Sequence, residues 1–439
     1  MKSELTPTEI VQQLDKYIVG QKEAKKAVAI AIRNRWRRMQ LDLEIQRDII
    51  PKNIIMIGPT GVGKTEIARR IAQLIDAPFI KVEATKYTEV GYHGRDVESM
   101  IRDLVKVAYE QTQKDFSEKY LEKTKLVAEE TVLDILVPKT PNDSELSANL
   151  RESFRTKLIA GDLDHKEIEI KVEGGAQSQP FMASFHGMED IGVDFQEMIS
   201  KFSPSSRQTR RVTVKEALKV LANEATKQFV DNGTMAKEAI RRVENSGIIF
   251  IDEIDKVAGK NDSSSPDISR GGVQRDLLPI VEGSAVSTKQ GMVNTDHILF
   301  IAEGDFQSSK PSELMPELQG RFPIRVELES LKKEDYVKIL LEPKNSLIKQ
   351  YVAMLSTENV DLEFEKNAIE EIAEATCHLN EKLQNIGARR LYTVLEKILQ
   401  DVSFAANDYK NQKVIITGRV VKESLKGFIN NDDLSKYIL

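Results

Sequence analysis

Apolar residues follow two different spacings along this chain, and the spacing predicts the secondary structure. Four short stretches are almost continuously apolar, which is typical of strands buried on both faces of a parallel sheet. They are Lys52–Ile57, Phe79–Glu83, Gly247–Ile251 and His297–Ala302. A glycine-rich turn and a segment with helical spacing separate the first two, so that strand, helix and strand follow one another as in a βαβ unit. The pattern therefore predicts an α/β fold built on a parallel sheet.

Helical spacing of apolar residues covers much of the rest of the chain. The predicted helices are Glu9–Tyr17, Lys22–Met39, Lys64–Leu74, Val97–Thr131 and Val214–Arg242. From about residue 331 onward helices dominate, with short strands at Val360–Phe364 and Val414–Thr417. The second helix ends in the basic run Arg33–Arg38, where cations complement the helix dipole. We expect this run to form a solvated face, with contact to phosphates or to a partner as the alternative.

The composition changes between about residues 137 and 210. This part carries prolines, a pair of glycines and many serines, with only a short alternating strand at Glu167–Val172. Such a composition is typical of a segment that lies outside the main core. We therefore expect an inserted, more loosely packed module here, after which the chain returns to the main body.

The composition of the whole chain excludes several classes of protein. It has 439 residues, of which 40 % are hydrophobic and 30 % charged, so it has enough apolar material to fold around a core. The net charge of -6 argues against a general nucleic-acid coat. The single cysteine, Cys377, excludes an intrachain disulfide framework and favours a reducing compartment. Because no long apolar run is present, we expect neither a signal peptide nor a transmembrane helix.

The segment Gly58–Thr65 matches the phosphate-binding pattern G-x-x-x-x-G-K-[ST] in full. It lies between a predicted strand and a predicted helix, as that pattern requires. Its glycines let backbone N–H groups wrap an oligophosphate, whose charge the helix N-terminus favours. Lys64 would reach the β- and γ-phosphates, and the Thr65 hydroxyl would bind Mg²⁺. The predicted phosphate-binding residues are Gly61, Val62, Gly63, Lys64, Thr65 and Glu66.

The apolar strand that ends at Ile251 is followed directly by Asp252 and Glu253. Ligands of open α/β sheets bind at the carboxyl ends of the strands. We therefore predict that Asp252 holds Mg²⁺ and that Glu253 orients or deprotonates the attacking water. The chain lacks the guanine-reading sequence N-K-x-D, and a kinase would not need the adjacent glutamate. Water-directed hydrolysis of ATP is the predicted reaction.

Segments along nearly the whole chain resemble the AAA+ ATPases, and among these the Clp/Hsp100 unfoldases. The similar segments are Tyr17–Gln21, Gly58–Thr65, Gly91–Asp96, Pro316–Arg321, Gly387–Leu391 and Asp433–Leu439. The resemblance implies an α/β P-loop large domain, with a parallel sheet and helices on both faces, at residues 1–109 and 244–332. It also implies an inserted, mainly helical intermediate domain at 110–243 and a smaller α+β C-terminal lid domain at 333–439.

The resemblance also assigns roles to residues that their pattern alone does not single out. Ile18 and Val19 would flank the adenine. Arg321 would be an arginine finger that reaches the γ-phosphate in a neighbouring subunit, where a guanidinium can neutralise the transferring phosphoryl group. Arg389 would sense the γ-phosphate from the lid, and Glu317 would lie near the nucleotide at the subunit interface.

An aromatic residue between glycines is similar to the pore loop of these unfoldases. Tyr92, with Gly91 and Gly94, would project into a central pore and grip unfolded polypeptide. His93 stands where the family usually has an aliphatic residue, which leaves the strength of the grip open. A second departure is Glu303, where the family commonly has a small polar sensor. A carboxylate close to the γ-phosphate would repel it, so either Glu303 points away or another residue takes the sensing role.

The resemblance as a whole implies an ATP-driven protein unfoldase of the cytoplasm. Six subunits would form a ring with ATP and Mg²⁺ at each interface, and would thread substrate polypeptide through the pore into a partner, an HslV-like threonine peptidase. The apolar C-terminal residues Ile438 and Leu439 would dock on that peptidase. The chain has neither a G-x-S-x-G nor an H-E-x-x-H sequence, so we expect proteolysis to reside in the partner.

Two alternatives stay open at this point. The closer one is a ClpX-like unfoldase with a different peptidase, although the chain lacks the four-cysteine zinc module of that protein. The more distant one is a DNA-remodelling AAA+ motor, which the basic run Arg33–Arg38 keeps under consideration.

Overall fold

The computed structural model describes residues 5–87, 95–138, 145–173, 207–229, 232–259 and 270–430. The chain divides into two compact units, one of Met1–Tyr109 with Lys237–Leu439 and one of Glu110–Ala236. None of the helices in the described ranges combines the length and the apolar character needed to cross a membrane.

The elements alternate as an α/β pattern predicts. The helices are α1 Pro7–Asp15, α2 Lys22–Arg38, α3 Leu43–Asp48, α4 Lys64–Ile75, α5 Ser99–Leu136, α6 Glu145–Ala160, α7 Val214–Phe229, α8 Asn232–Ser246, α9 Arg270–Glu282, α10 Pro316–Arg321, α11 Lys333–Leu341, α12 Leu347–Ser356, α13 Lys366–Lys382, α14 Arg389–Phe404 and α15 Gly418–Asn430. The strands are β1 Ile54–Ile57, β2 Phe79–Glu83, β3 Glu167–Glu173, β4 Arg207–Thr213, β5 Ile248–Asp252, β6 Ala285–Thr288, β7 Gly291–Asn294, β8 Leu299–Gly304, β9 Ile324–Glu327, β10 Asp361–Phe364 and β11 Lys413–Ile416.

A five-stranded sheet in the order β2-β5-β8-β1-β9 organises the first unit. Every neighbouring pair in it is parallel, which confirms the predicted class of fold. Because parallel strands end at one edge, the loop after β1, Asp252 at the end of β5 and Glu303 near the end of β8 share that edge. Strand β9, whose apolar residues alternate with Arg325 and Glu327, is an edge strand that the apolar-run criterion missed.

Helices cover both faces of the sheet, and the strand residues alternate between them. Ile54 and Met56 pack with apolar side chains of α1, α2 and α4. Ile55 belongs to the opposite core, which α5, α8 and α9 complete. With both faces buried, a strand must be apolar at every position, which explains the continuous runs in the sequence.

The basic run at the end of α2 differs from the expected solvated face. Arg35 is only 4 % exposed, and its guanidinium donates to the carbonyls of Ser246 (3.2 Å), Gly247 (3.0 Å) and His297 (2.8 Å). These carbonyls precede β5 and β8 and need partners once they are buried. Burial, with a smaller contribution from Arg38, lowers the pKa of Arg35 to about 9. The expectation was therefore wrong for Arg35, and also for Arg38, which is buried as well.

The residues after the sheet build a smaller α+β subdomain with a core of its own. We call the described residues 333–430 the lid. Helices α11 to α15 pack around the parallel pair β10–β11. Tyr336, Leu340 and Ile372 lie at the centre of its hydrophobic core.

The second unit also has a hydrophobic core within its described residues. Helices α5, α6 and α7 pack on the antiparallel pair β3–β4, with Val132, Ile170 and Ala217 fully buried. This packing contrasts with the loose module that the composition predicts. The glycine- and serine-rich stretch on which that prediction depends lies largely outside the described residues.

Candidate nucleotide-binding site

A cavity of about 490 Å³ opens at the carboxyl edge of the sheet. The lining residues come from the turn between β1 and α4 with the start of α4, the segment before α2, the end of β8, Leu331 and the lid. The predicted site residues in its walls are Ile18, Val19, Gly61, Val62, Gly63, Lys64, Thr65, Glu66 and Arg389. The structure thus brings together residues that are far apart in the sequence.

The turn between β1 and α4, the P-loop, owes its shape to glycines with positive φ. Gly61 (φ 76°) and Gly63 (φ 103°) adopt backbone conformations that L side chains rarely take. Helix α4 begins at Lys64 directly after them, so the N–H groups of its first turn face the loop. A loop followed by a helix N-terminus is suited to hold an oligophosphate.

Lys64 is almost completely buried, with 4 % of its surface exposed. Its ammonium donates to the carbonyl of Gly58 and, at 2.9 Å, to that of Pro59. It also lies 3.9 Å from a carboxylate oxygen of Glu303. The P-loop therefore holds the Lys64 ammonium in place. This cation lies at the N-terminus of α4, in the wall of the cavity.

Several of the side chains that line the cavity are apolar. They are Ile18, Val19, Leu331, Ile339 and Leu347. Apolar side chains are suited to contact the planar face of a base. Two contacts hold the segment of Ile18 in place: the Lys25 ammonium donates to the Ile18 carbonyl, and the Lys344 N–H donates to the Lys16 carbonyl at 2.9 Å.

Asp252 lies beside the P-loop in a group of charged side chains. Lys81, from the neighbouring strand β2, forms an ion pair with it. Burial acts to raise the pKa of Asp252, but the hydrogen bonds from Glu303 and Lys81 outweigh burial, and the pKa lies below its ordinary value. Asp252 is therefore a carboxylate, as a ligand of a divalent cation must be.

Glu253 follows with a backbone that non-glycine residues seldom adopt, at φ 55°. Its N–H donates to the Asp252 carboxylate at 3.0 Å. Such a conformation costs of order 1 kcal/mol and is found most often at functional sites. The side chain is exposed and does not line the cavity wall, whereas the neighbouring Asp252 contacts the cavity residue Glu303.

Glu303 is the site residue that sequence reasoning left out. It lines the cavity, shares a hydrogen bond with Asp252 and lies near Lys64. Burial and the hydrogen bond to Asp252 raise its pKa to about 8, although Lys64 acts in the opposite direction. Of the two alternatives that the sequence left open, a side chain turned away from the site is therefore wrong. The sequence did contain a signal for Glu303, because this carboxylate comes near the end of a buried apolar strand, as Asp252 does.

Arg321 and Glu317 do not line the cavity of their own chain. Both belong to the short helix α10. Arg321 is 40 % exposed at its side chain and donates through Nε (3.0 Å) and Nη2 (2.8 Å) to one oxygen of Glu282. Glu317 is exposed. The structure therefore does not bring these two residues to the P-loop that precedes them in the sequence.

The predicted pore residues Gly91, Tyr92 and Gly94 and the docking residues Ile438 and Leu439 lie outside the described residues. Their roles stay predictions.

The oxygen donors near the P-loop fit a magnesium ion. Thr65 offers a hydroxyl, and Asp252 offers a carboxylate at the same edge of the sheet. Mg²⁺ is usually bound through one or two such groups, with water and substrate phosphates as further ligands. In keeping with this, no group of three or more His, Cys, Asp or Glu that could hold a metal occurs in the described parts of the chain.

Comparison with known families agrees with this geometry. The model of the ATPase family associated with various cellular activities (AAA) matches residues 54–116, which include the P-loop. A second model, the AAA domain of the Cdc48 subfamily, matches residues 179–325, which include β5 and β8. The P-loop thus lies in a segment that matches an AAA ATPase family.

A relative that matches over the full length shows to which AAA ATPases the chain belongs. The chain is 56 % identical over 446 residues to the ATP-dependent protease ATPase subunit HslU of Persephonella marina, and the match covers 100 % of both chains. The chain therefore belongs to the HslU family of AAA ATPases.

Proposed function

We propose that this ATPase is a Mg²⁺-dependent, ring-forming protein unfoldase that threads polypeptide into an HslV-like threonine peptidase. The observation that carries the proposal is the cavity, whose walls come from both the P-loop and the lid. A nucleotide that contacts both walls binds best when they are close together, so hydrolysis and release can move the lid. Such a movement is what a motor needs.

The residues around the cavity suggest how the nucleotide is cleaved. Thr65 and Asp252 would hold Mg²⁺, which when bound neutralises charge on the phosphates. Lys64 would bind the β- and γ-phosphates. Water would attack the γ-phosphorus and give its proton to Glu253, while the bond to the bridging oxygen breaks and ADP leaves with the electrons. Ile18 and Val19 would hold the base, and the γ-phosphate at the other end of the nucleotide would thereby be positioned for the reaction.

Arg321 and Glu317 fit a role across a subunit interface. Both lie away from the cavity of their own chain and retain exposed surface. The pairing with Glu282 holds the Arg321 guanidinium in a defined orientation. We propose that Arg321 reaches the γ-phosphate bound by a neighbour in a six-subunit ring, with Glu317 beside it.

The remaining steps rest on the family resemblance. The Tyr92 loop, with Gly91 and Gly94, would pull substrate through the central pore of the ring. Ile438 and Leu439 would dock on the peptidase, which supplies the protease site. We expect the complex in the cytoplasm. The competing DNA-remodelling motor depended on the run Arg33–Arg38, and it loses support because Arg35 and Arg38 are buried.

A degradation assay tests this function. The chain is mixed with an HslV-type peptidase and a stably folded, tagged reporter, and loss of the reporter is followed with ATP, with ADP and with Lys64→Ala. We expect degradation only when ATP and the unchanged chain are both present in this mixture. ADP in place of ATP, or Lys64→Ala in place of the unchanged chain, should give no degradation. Deleting the last six residues should leave the basal ATPase rate intact and abolish degradation. If the reporter stays intact although ATP is hydrolysed rapidly and the peptidase is active, the proposal is contradicted.

A further inference from the structure

The turn between α13 and α14, residues 384–388, rests directly on the P-loop. We call it the lid turn. The Ala388 N–H donates to the Gly61 carbonyl at 3.0 Å. Gly387 has φ 56°, and a Cβ on it would lie 2.6 Å from the Thr60 carbonyl oxygen. In the other direction, a Cβ on Gly61 would collide with the Ile386 carbonyl. Two glycines from distant parts of the chain thus let two backbones touch.

One side chain beneath the lid turn makes two hydrogen bonds to it. Asn380, in the last turns of α13, is 7 % exposed. Its Nδ2 donates to the Gly387 carbonyl at 3.1 Å and to the Tyr336 hydroxyl at 2.9 Å. Its Oδ1 accepts from the Ile386 N–H at 3.2 Å and from Nε of Arg390 at 3.4 Å. The amide therefore satisfies both a donor and an acceptor of the turn.

Arg390 and Tyr336 complete a buried polar network around Asn380. Each of them is only 2 % exposed. Nη2 of Arg390 donates to the Gln384 carbonyl at 2.7 Å, which fixes the other end of the lid turn. Buried polar groups are costly unless they are bonded, so the bonds of Asn380 favour one conformation of the lid turn, whereas Nη1 of Arg390 is buried without a partner among the described residues.

We infer that Asn380 is a positioning residue for the nucleotide site, because it holds the lid turn against the P-loop. The inference rests on the proposed binding of nucleotide in the cavity. Asn380 does not line that cavity, but its partners Ile386 and Gly387 touch Gly61, and the cavity residue Arg389 follows them directly. Without Asn380 the turn has alternative conformations, and a ligand must then select the competent one.

Isothermal titration of the nucleotide-free protein with ADP and with AMP-PNP tests the inference. Asn380→Ala should weaken binding of both roughly tenfold, because a bound nucleotide has to order the loosened turn again. Ile372→Ala is the matched control: it lies in the lid core on the same helix, and its apolar side chain makes no hydrogen bond to the lid turn. It should lower the melting temperature and leave the dissociation constants unchanged. Equal affinities for Asn380→Ala and the unchanged chain would overturn the inference.

A double-mutant cycle separates positioning from general damage. Gly387→Ala breaks the contact with Thr60 directly, so it should weaken nucleotide binding on its own. If Asn380 acts through that contact, Asn380→Ala should add little in the Gly387→Ala background. If the double variant loses affinity by the product of the two separate factors, Asn380 does not act through the contact between Gly387 and Thr60.

A milder variant covers the case in which Asn380→Ala does not fold. Asn380→Asp keeps the oxygen that accepts from Ile386 and Arg390 and removes the amide donor. Binding about fivefold weaker is expected, since the bond to the Gly387 carbonyl is lost and a neutral hydrogen bond contributes about 1 kcal/mol; unchanged affinity would overturn the role of the donor. If the unchanged chain binds neither nucleotide, the proposed function fails and the inference with it. If the unchanged chain binds and the variants bind equally well, only the inference fails.

Discussion

The cavity has two walls that are built in different ways. The P-loop wall is one continuous stretch of backbone between β1 and α4, and it presents N–H groups and a buried lysine. The lid wall is made of separate side chains from three helices and their connections: Ile339, Pro343, Asn345, Ser346, Leu347, Gln350, Ala388, Arg389 and Tyr392. Phosphate recognition is thus local in sequence, whereas the rest of the cavity depends on how the lid packs.

The charges of the two walls differ as well. On the P-loop side Lys64, Glu303 and Asp252 are largely buried and follow one another in contact, and the more exposed Lys81 pairs with Asp252. On the lid side Arg389 is an exposed cation. Removal of a buried charge leaves its partners uncompensated, while removal of an exposed one is partly made good by water. Mutations in the P-loop wall should therefore have the larger effects.

Lys64→Ala should produce the largest effect. Two or more charge-assisted bonds to phosphate would be lost, at roughly 1.5–3 kcal/mol each, and the negative charges around Glu303 would lose their cation. We expect ATP binding weaker by a factor of at least about 100 and no measurable turnover, by titration and phosphate release. Lys86→Ala, an exposed lysine after β2, is the control. Normal turnover by Lys64→Ala would remove the P-loop from the mechanism.

Glu253→Gln should separate binding from chemistry within the same wall. The amide cannot take the proton of the attacking water, so hydrolysis should fall by roughly 10²–10⁴. The affinity for ATP should stay close to that of the unchanged chain, because Glu253 does not line the cavity. Single-turnover hydrolysis and binding of labelled ATP measure the two quantities. Rapid hydrolysis by this variant would assign the base to another residue.

Arg389→Ala probes the lid wall and should have a smaller effect. One exposed charged contact to the γ-phosphate predicts a loss of roughly tenfold in AMP-PNP affinity. ADP, which lacks that phosphate, should bind almost unchanged. Arg419→Ala, a lid arginine that does not line the cavity, is the control, and both are measured by titration. An equal loss for the two nucleotides would exclude γ-phosphate sensing by Arg389.

Glu303→Gln should change how the free energy of unfolding depends on pH, rather than the nucleotide affinity. The pKa of Glu303 is raised from 4.5 to about 8 in the folded chain by burial and by Asp252, against the effect of Lys64. Between these two values the folded state keeps a proton that the unfolded state has released. The free energy of unfolding therefore falls as pH rises, by at most about 1.4 kcal/mol per pH unit for one proton.

The glutamine variant has no such proton, so its free energy of unfolding should fall less between pH 5 and 8. Urea unfolding of the nucleotide-free protein in EDTA measures this free energy at each pH. Glu327→Gln, which removes an exposed carboxylate from the end of β9, should keep the steeper dependence. Identical slopes for Glu303→Gln and the unchanged chain would show that Glu303 is ionised in the fold.

Much of the sheet could be predicted from the sequence, and the reason is local. Buried parallel strands must be apolar throughout, so β1, β5 and β8 were visible as runs. The edge strand β2 was visible because only Lys81 and Glu83 interrupt its apolar residues. The P-loop was visible because the same few consecutive residues both shape the backbone and bind phosphate. Strand β9 was not visible, since an edge strand tolerates polar residues.

Other features depend on contacts between distant segments. The burial of Arg35 could not be read from its basic neighbours, because its partners are carbonyls that precede strands far along the chain. The position of Glu303 beside Lys64 follows only from the strand order, which sets β8 next to β1.

The sequence by itself therefore determined the class of fold, the phosphate-binding loop and the carboxylates after β5, because each is encoded by consecutive residues whose chemistry and spacing suffice. Only the tertiary structure decided the shape of the cavity, the raised pKa of Glu303 and the support of the lid turn by Asn380. Burial and close approach cause these three features, and both arise when segments that are remote in sequence pack together.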